Sequence, residues 1–536
     1  MPVQNLLTSS TPARLAFNLE MCRSTASASN PSSESGGKPS PGMLMRRSGK
    51  PISSCLFEMV SAIALHSLPA SEPLRKTLRA EVTRHANPRP IEVLMFHIRN
   101  RLISSTHVFR SRKRATMTNT IICRKIDAEE FERFAEHARN GNFQQSEGMR
   151  RLSNLRGRKT DQLGVYEDGI LVSAVQIAYS HSRLGWTGSI WLGPIGSLEP
   201  RILKPLTDGI RRAARRRGAY MVEAWPPEVL QRHDSNGKPV GERNTSLIDG
   251  FTALGWRHGQ LGTGYGEVVN RWDYVKDLTG IHDRDGLMRS FEPRMRTCIR
   301  KAGSMGVKVR EIGVDELSVF ADIERETADR RGFRVQGERY FRQFRKAFGD
   351  RAHFMLAEID TDAFVSSAET AVESLEERIG KLERKAESHP SSKVARQLRE
   401  LGSNRQAALR RLEQARSLAG AAPLIPVASS LFVEHPNEVV YLFSGSRGEY
   451  KSFYAPALIQ LEAMDRFCLR TGVNRYNFYG ITGVFDDSGD EGRGVLEFKQ
   501  GFNGFVEELS GGFVLPVRPF RFLIHSVWAG SLWRRG

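Results

Sequence analysis

The sequence has few cysteines and lacks the short motifs that mark common metal or nucleotide sites. Its 536 residues include five cysteines, which show no paired spacing and no C-x-x-C. This argues against a zinc site or a disulfide scaffold and for a reducing compartment. No H-E-x-x-H, G-x-S-x-G or Walker sequence is present. We therefore expect a cytoplasmic protein that needs no metal ion and no other cofactor.

Long apolar runs are also missing. The apolar stretch 59–68 is too short to span a bilayer and too far from the start for an ordinary signal peptide. Residues 1–116 are rich in serine, proline and arginine, show poor periodicity, and contribute much of the net charge of +19. The sequence predicts that this segment is disordered and that Met117 is the true start of the protein. Residues 1–116 would then be a mis-annotated or dispensable N-terminal extension.

After Met117 the chain alternates helix and strand patterns. A helix, a hairpin, a strand, a basic helix and a further strand follow one another, and a comparable order recurs in the second half. This predicts an α/β (α+β) fold of two GNAT-like domains, that is, domains resembling acyl-CoA N-acyltransferases. The expected boundaries are 117–275 plus 511–536 for the first domain and 276–510 for the second.

A segment of about 60 residues separates two strands of the second half that a tight turn would otherwise join. Within 366–418, apolar residues recur with alternating spacings of three and four, which predicts an antiparallel coiled-coil arm with its tip at His389–Pro390. Helices of about 20 residues would extend it by roughly 30 Å. Its second helix is basic, and four of its residues are candidate contacts with RNA phosphates: Lys393, Arg396, Arg399 and Arg410. A solvated charged face is the alternative interpretation.

The most informative motif is Asn477–Gly483, a strand that runs into a glycine-bearing turn. Beyond an acidic loop, Phe498 and Lys499 follow, and we expect them on a second strand. Three further patterns precede it in the chain: a basic helix before Gly306–Val309, Arg331–Phe333 leading to Tyr340, and Phe443–Gly445 followed by 453–456. In this order around a helical arm, they resemble the FemABX aminoacyltransferases, which add bridge amino acids to peptidoglycan precursors.

The resemblance implies a reaction in which an amine of the stem peptide attacks the ester of an aminoacyl-tRNA. Lys499, flanked by Phe498, would stabilise the oxyanion of the tetrahedral intermediate. Some relatives carry an Asp-Pro after a long strand of the first domain, where this chain has Trp225–Pro227 with Glu223 nearby. The proton acceptor therefore stays open between a residue, water and the substrate.

The resemblance also implies substrate contacts in a cleft between the domains. The candidates are Arg150, Arg151, Tyr220, Arg334, Gln336, Tyr340 and Phe443. Expected partners are an aminoacyl-tRNA carrying glycine, alanine or serine, and an acceptor that is lipid II or UDP-MurNAc-pentapeptide. The aromatic and basic C-terminus suits either a contact with the inner face of the plasma membrane or a docked helix. Two other functions remain open, an acyl-CoA-dependent N-acyltransferase and a non-catalytic tRNA-binding protein.

Overall fold

The computed structural model describes residues 120–182, 184–265, 269–334 and 336–528. The predicted start at Met117 and the proposed N-terminal extension lie outside these ranges. Within them, no helix combines the length and the apolar character needed to cross a membrane.

The strands, in chain order, are β1 (Ile121–Lys125), β2 (Lys159–Glu167), β3 (Ile170–Ser182), β4 (Gly185–Ile190), β5 (Ile195–Gly196), β6 (Ala219–Ala224), β7 (Val229–His233), β8 (Pro239–Val240), β9 (Arg257–His258), β10 (Trp272–Asp277), β11 (Val307–Glu311), β12 (Ala352–Asp360), β13 (Leu424–His435), β14 (Glu438–Ser446), β15 (Arg475–Ile481), β16 (Phe505–Leu509) and β17 (Phe513–Pro516). The α-helices are α1 (Ala128–His137), α2 (Glu147–Leu155), α3 (Pro200–Arg217), α4 (Ser246–Ala253), α5 (Arg284–Arg289), α6 (Pro293–Ser304), α7 (Leu317–Arg331), α8 (Glu338–Phe348), α9 (Thr361–Ser388), α10 (Ser392–Ala419), α11 (Ala455–Met464), α12 (Arg493–Gln500) and α13 (Pro519–Trp528).

Two mixed sheets organise these elements. The first has the order β1-β2-β3-β4-β6-β17-β9, with β5 paired to β3, and the second has the order β11-β12-β13-β14-β15-β10-β16-β7-β8. In each sheet, four successive antiparallel strands are followed by a helix and then by a strand that pairs in parallel with the fourth. In the first sheet β6 follows α3 and pairs with β4, and in the second β15 follows α11 and pairs with β14. Two helices follow the first strand in both cases. This arrangement confirms the predicted α/β class.

Local sequence accounts for the sharp turns of the first sheet. Between β2 and β3 the chain reverses in two residues, Asp168 and Gly169, which have φ angles of 49° and 84°. Aspartate and glycine tolerate this left-handed region better than other residues, and the resulting turn matches the twist of a hairpin. Helix α3 begins with Pro200 at its first turn and ends at Gly218, whose φ is 77°, as helix boundaries commonly do.

The two sheets exchange strands. The sequence of the first half supplies β7, β8 and β10 to the second sheet, while β17 from the end of the chain inserts between β6 and β9 of the first. The boundary expected after residue 275 lies inside β10, so the chain enters the second sheet earlier than predicted. The short strands β7 and β8 lack the alternating apolar pattern on which the prediction relied.

Helices α9 and α10 form a hairpin that we call the arm. Each helix has 28 residues and extends about 42 Å, which is longer than expected. The two helices are joined at residues 389–391, which include the predicted tip at His389–Pro390. Buried side chains along the seam include Val372, Val394 and Leu412. Arg405, where the apolar repeat slips, reaches across to Glu376 at 2.7 Å.

Contacts between the halves close the fold around β14 and β15. Phe143 of the first half packs against Phe348 of the second with ring centroids 6.2 Å apart. Asn437, in the turn between β13 and β14, donates to the carbonyl oxygens of Ala138 and Gly141 at 2.8 and 2.9 Å. The side chains near these strands therefore come from both halves of the chain.

Candidate active site

A bulge in β15 forms the centre of the candidate site. Across the β10–β15 ladder, Asp273 lies opposite Gly480 and Val275 opposite Asn477, so β15 contains one extra residue. Tyr479 absorbs it with a φ of 64°, and its N–H donates to the Asn477 side-chain oxygen at 2.8 Å. A left-handed residue that is not glycine costs on the order of 1–3 kcal/mol and is retained mostly at functional positions.

The bulge also explains why a glycine follows Tyr479. A Cβ atom at Gly480 would collide with the side chain of Asn270. The backbone therefore approaches Asn270 closely, and the carbonyl groups of residues 479 and 480 turn toward the adjoining helix α12.

Phe498 and Lys499 lie on α12, and the prediction that they belong to a strand was wrong. The carboxylate of Asp490 accepts from the N–H of Gly492 at 2.9 Å, just before the helix begins. Leu496 and Lys499, one helical turn apart, form its buried face. Over residues 496–499 apolar and charged side chains alternate, which in so short a segment resembles a half-buried strand. Residues three apart share a face in a helix but not in a strand.

Lys499 is buried beneath the bulge. The residue is only 4% exposed. Its Nζ donates to the carbonyl oxygens of Tyr479 at 3.0 Å and Gly480 at 2.6 Å. An ammonium group has three N–H donors, and these two acceptors occupy two of them. Burial lowers the pKa of Lys499 to about 7, opposed by the negative charge of Asp273.

Asp273 is a buried acid whose charge acts on this lysine. Burial raises the pKa of Asp273 to about 7, with Glu438 adding to the rise and Arg475 and Lys499 opposing it. Its Oδ1 has no hydrogen-bond partner among the described residues. Asp273 and Lys499 thus form a buried pair in which each group holds the other closer to its charged form.

Aromatic rings surround the lysine-bearing helix. Phe498 is half-buried and packs edge-on against Phe502 with centroids 5.3 Å apart. Phe502 is buried and contacts Phe478 of β15 at 5.1 Å and Phe291 at 5.0 Å. These apolar walls exclude water, which strengthens the field of a nearby charge.

Tyr479 also links the site to the first half of the chain. Its hydroxyl accepts a hydrogen bond from the Nε2 of Gln144 at 3.2 Å. Gln144 is buried, in a short 3₁₀ turn capped by the side chain of Asn142, which accepts from its N–H at 3.0 Å. Both halves therefore fix the position of the Tyr479 ring.

A second cluster, which we call the arginine–aromatic cluster, joins Tyr340, Phe443, Arg156, Arg158 and Trp191. The Arg156 guanidinium lies 5.0 Å from the centre of the Tyr340 ring, and that ring lies 5.9 Å from Phe443. Arg158 stacks over Trp191 at 4.9 Å. Burial lowers the pKa of Arg158 to about 10, and the charge of Arg156 adds to this. In the described ranges neither arginine forms a salt bridge.

Other predicted substrate contacts lie outside these clusters or are already occupied. Arg150 binds Glu147 through two nitrogens at 2.6 Å, and Arg151 contacts the same carboxylate at 3.2 Å. Tyr220 is buried under α13, where its hydroxyl lies 3.2 Å from the Nδ1 of His525. Two further candidates flank a position that is not described: Arg334, which is exposed, and Gln336, which is half-buried.

The predicted RNA contacts of the arm, by contrast, are available to solvent. Lys393, Arg396, Arg399 and Arg410 are all exposed. In the described part of the chain, none of the four forms a salt bridge with an acid, whereas Arg405 and Arg416 pair with glutamates of α9.

Sequence reasoning missed Asp273, Gln144, Arg158 and Trp191. Asp273 lies on β10, a strand that the sequence did not reveal, and Gln144 lies in a polar turn without periodicity. The only signal that could have found Arg158 was its nearness to Arg156 in a basic stretch. Within the described ranges, no group of three His, Cys, Asp or Glu residues is placed to hold a metal ion.

Comparisons with known proteins agree with this architecture. Residues 126–528 match the FemAB family. An aminoacyltransferase FemB of Staphylococcus epidermidis is 30% identical over 303 residues, covering 56% of this chain and 72% of the relative. An aminoacyltransferase FemA of Staphylococcus aureus (strain bovine RF122 / ET3-1) is 24% identical over 409 residues, covering 73% and 94%. The crystal structure of FemX shares the fold, with a TM-score of 0.62 at 20% identity, over 75% of this chain and 99% of that one.

Proposed function

Because the chain belongs to the FemAB family, we propose that it is an aminoacyltransferase that builds the interpeptide bridge of peptidoglycan. The donor is an aminoacyl-tRNA of the glycine, alanine or serine class, and the acceptor is the stem-peptide amine of a precursor. The observation that carries the proposal is the buried ammonium of Lys499, held by two carbonyl groups at a strained bulge.

The chemistry needs placement more than activation, since the ester is already reactive. The amine nitrogen attacks the ester carbonyl, and a C–N bond forms while a negative charge develops on the carbonyl oxygen. The C–O bond to the terminal ribose then breaks, the amine loses a proton, and the ribose oxygen gains one. Holding amine and ester side by side supplies a large part of the rate.

Lys499 is suited to stabilise the developing oxyanion. With two N–H groups bound to the carbonyls of Tyr479 and Gly480, the third remains for the substrate. A preorganised donor in a dry site contributes on the order of 3–4 kcal/mol to such a transition state. The charge of Asp273 opposes the loss of a proton from Lys499.

The acceptor precursor carries phosphates, and the arginine–aromatic cluster is suited to bind them. Arg156 and Arg158 lie beside Tyr340 without acidic partners in the described ranges, and guanidinium groups bind phosphate bidentately. Arg150 and Arg151, the contacts expected from the sequence, share the single carboxylate of Glu147, so we propose the cluster as the phosphate contact ahead of them. Lipid II and UDP-MurNAc-pentapeptide both supply this chemistry.

A lipid-linked acceptor agrees with the surface of α13. Phe522 anchors this helix in a buried cluster, while Phe520 and Leu523 are 76% and 60% exposed. Arg518 and Arg521 are exposed on the same short segment. Aromatic and basic side chains together favour anionic lipid surfaces, so we propose that α13 contacts the inner face of the plasma membrane.

The exposed basic residues of the arm are the proposed contact with the body of the tRNA. Unpaired arginine and lysine side chains gain most from phosphate contacts, since no internal ion pair has to break.

Transfer of a labelled amino acid from charged tRNA to a muramyl-pentapeptide precursor tests the proposal. The Lys499→Met variant should lose transfer by at least a hundredfold, in line with the loss of one oxyanion donor. Lys276→Met is the matched control, because Lys276 is 3% exposed and its Nζ also donates to a carbonyl, that of Asn503 at 3.3 Å.

Three results contradict the proposal. One is equal transfer by wild type and Lys499→Met, and another is an equal loss in the Lys276→Met control. The third is turnover of acetyl-CoA without transfer from any charged tRNA, which would identify an acyl-CoA-dependent enzyme instead.

A further inference from the structure

Helix α6 has a basic surface that the proposed reaction does not use. Met295, Ile299 and Ala302 form its buried face. The remaining positions carry four cations and no acid: Arg294, Arg296, Arg300 and Lys301. In the described part of the chain, none of these four forms a salt bridge with an acidic side chain.

A surface pocket of about 340 Å³ lies against this helix. It is lined by Asp285, Met288, Arg289, Arg296 and Arg300. Arg296 donates to the carbonyl oxygen of Arg289 at 3.1 Å, which brings the two guanidinium-bearing residues together at the pocket wall. Three arginines against one exposed carboxylate leave the pocket positively charged.

The helix connects the candidate catalytic lysine to the arm. At its N-terminal end, the N–H of Glu292 donates to the carbonyl oxygen of Gly501 at 3.0 Å, and Arg294 donates to that of Glu497 at 2.9 Å. Both acceptors belong to α12 or the residue that follows it. At its C-terminal end, Ser367 of the arm donates to the carbonyl oxygen of Ser304 at 2.9 Å.

We propose that Arg289, Arg296 and Arg300 bind backbone phosphates of the RNA strand close to its aminoacylated end. This inference rests on the proposed function, which requires a charged tRNA as donor. Because α6 contacts both α12 and the arm, an RNA whose terminal ester lies at Lys499 and whose body contacts the arm can pass along it. Residues 296 and 300 are one helical turn apart, about 6 Å, a spacing that matches successive phosphates of one strand.

The charge and shape of the pocket favour RNA over a lipid surface. Met288 is the one apolar side chain in its lining, and guanidinium forks bind phosphate in defined geometry. A membrane contact requires exposed apolar side chains as well, which α13 provides and α6 does not.

Binding of uncharged tRNA, measured by fluorescence anisotropy at several salt concentrations, tests the inference in the full-length protein. The double variant Arg296→Gln/Arg300→Gln should lower the slope of log affinity against log salt by about 1.4, at about 0.7 per lost single-strand contact. In the transfer assay, KM for charged tRNA should rise while KM for the muramyl-peptide precursor stays unchanged.

The matched control is Arg212→Gln/Arg216→Gln on α3. These two arginines are exposed, whereas of the α6 pair Arg300 is exposed and Arg296 half-buried. Like the α6 pair, they are four residues apart and, in the described ranges, without a salt bridge. The control should keep the wild-type slope. An equal loss in both double variants would show only a general effect of net charge and would overturn the inference.

Two other results would also overturn it: unchanged tRNA binding by the α6 variant, or a loss of binding to anionic lipid vesicles in place of tRNA. The outcome separates the inference from the proposed function. If wild type binds tRNA with the α6-dependent slope but transfers nothing, the inference holds and the proposed function fails. If transfer occurs and the α6 variant keeps its KM for tRNA, the inference fails alone.

Discussion

Lys499 should make the stability of the fold depend on pH in a way that one substitution removes. Burial lowers the pKa of Lys499 from 10.5 to about 7 in the folded protein, whereas the unfolded chain keeps the ordinary value. Between these values the unfolded state binds more protons than the folded state. The free energy of unfolding therefore rises with pH across this window, and the gain is lost as pH falls toward 7.

The size of the effect follows from the two pKa values of 10.5 and about 7. One pKa unit corresponds to about 1.4 kcal/mol, so the contribution of Lys499 changes by about 3 kcal/mol between pH 6.5 and pH 9.5. Lys499→Met lacks this titration but loses hydrogen bonds to two carbonyls. Those lost bonds shift its stability by an amount that is nearly independent of pH.

The measurement is the difference in unfolding free energy between wild type and Lys499→Met, from urea denaturation across this pH range. The difference should rise with pH in favour of the wild type. Without the lysine, the pKa of Asp273 should rise further, which destabilises the variant at high pH and changes the difference in the same direction. Lys276, whose pKa burial lowers to about 8, is present in both proteins and cancels. A difference that stays constant with pH would refute the argument.

Three further outcomes are expected. Asp273→Asn removes the charge that opposes the low pKa of Lys499, so the fall in kcat at alkaline pH should begin at lower pH; a profile that is unchanged or moves upward contradicts this. Tyr479→Phe removes the acceptor of the Gln144 hydrogen bond and should lower the unfolding free energy by about 1 kcal/mol; a double-mutant cycle with Gln144→Ala should show coupling, and strict additivity would speak against it. Replacing the four exposed basic residues of the arm by glutamine should lower the salt dependence of tRNA binding without changing the circular dichroism spectrum, whereas an unchanged salt dependence would assign the arm no RNA contact.

The sequence predicted elements with strong periodicity better than elements defined by their partners. The repeat of the two halves, the Asp168–Gly169 turn and the two helices of the arm follow from local patterns. Strands β7, β8 and β10 are short. Their place in the second sheet is set by pairing with neighbouring strands of that sheet. Pairing of this kind depends on contacts far apart in the chain, which periodicity does not report.

The site was predicted in the same uneven way. The motif around residues 477–483 located the bulge, and Lys499 was identified through a resemblance, although its helix was taken for a strand. The sequence predicts Arg150 as a phosphate contact but does not show that its guanidinium binds the carboxylate of Glu147 at 2.6 Å. A sequence shows which side chains carry charge, but the ion pairs that neutralise them depend on the fold.

The insertion of β17 between β6 and β9 has a consequence for biosynthesis. The ribosome makes β6 and β9 long before it makes β17, so the first sheet stays divided, with two open edges, until translation is nearly complete. Such edges pair readily with other nascent chains. We expect cells to need a chaperone that shields this gap, and premature stop codons shortly before residue 513 to yield insoluble protein although nearly the whole polypeptide has been produced.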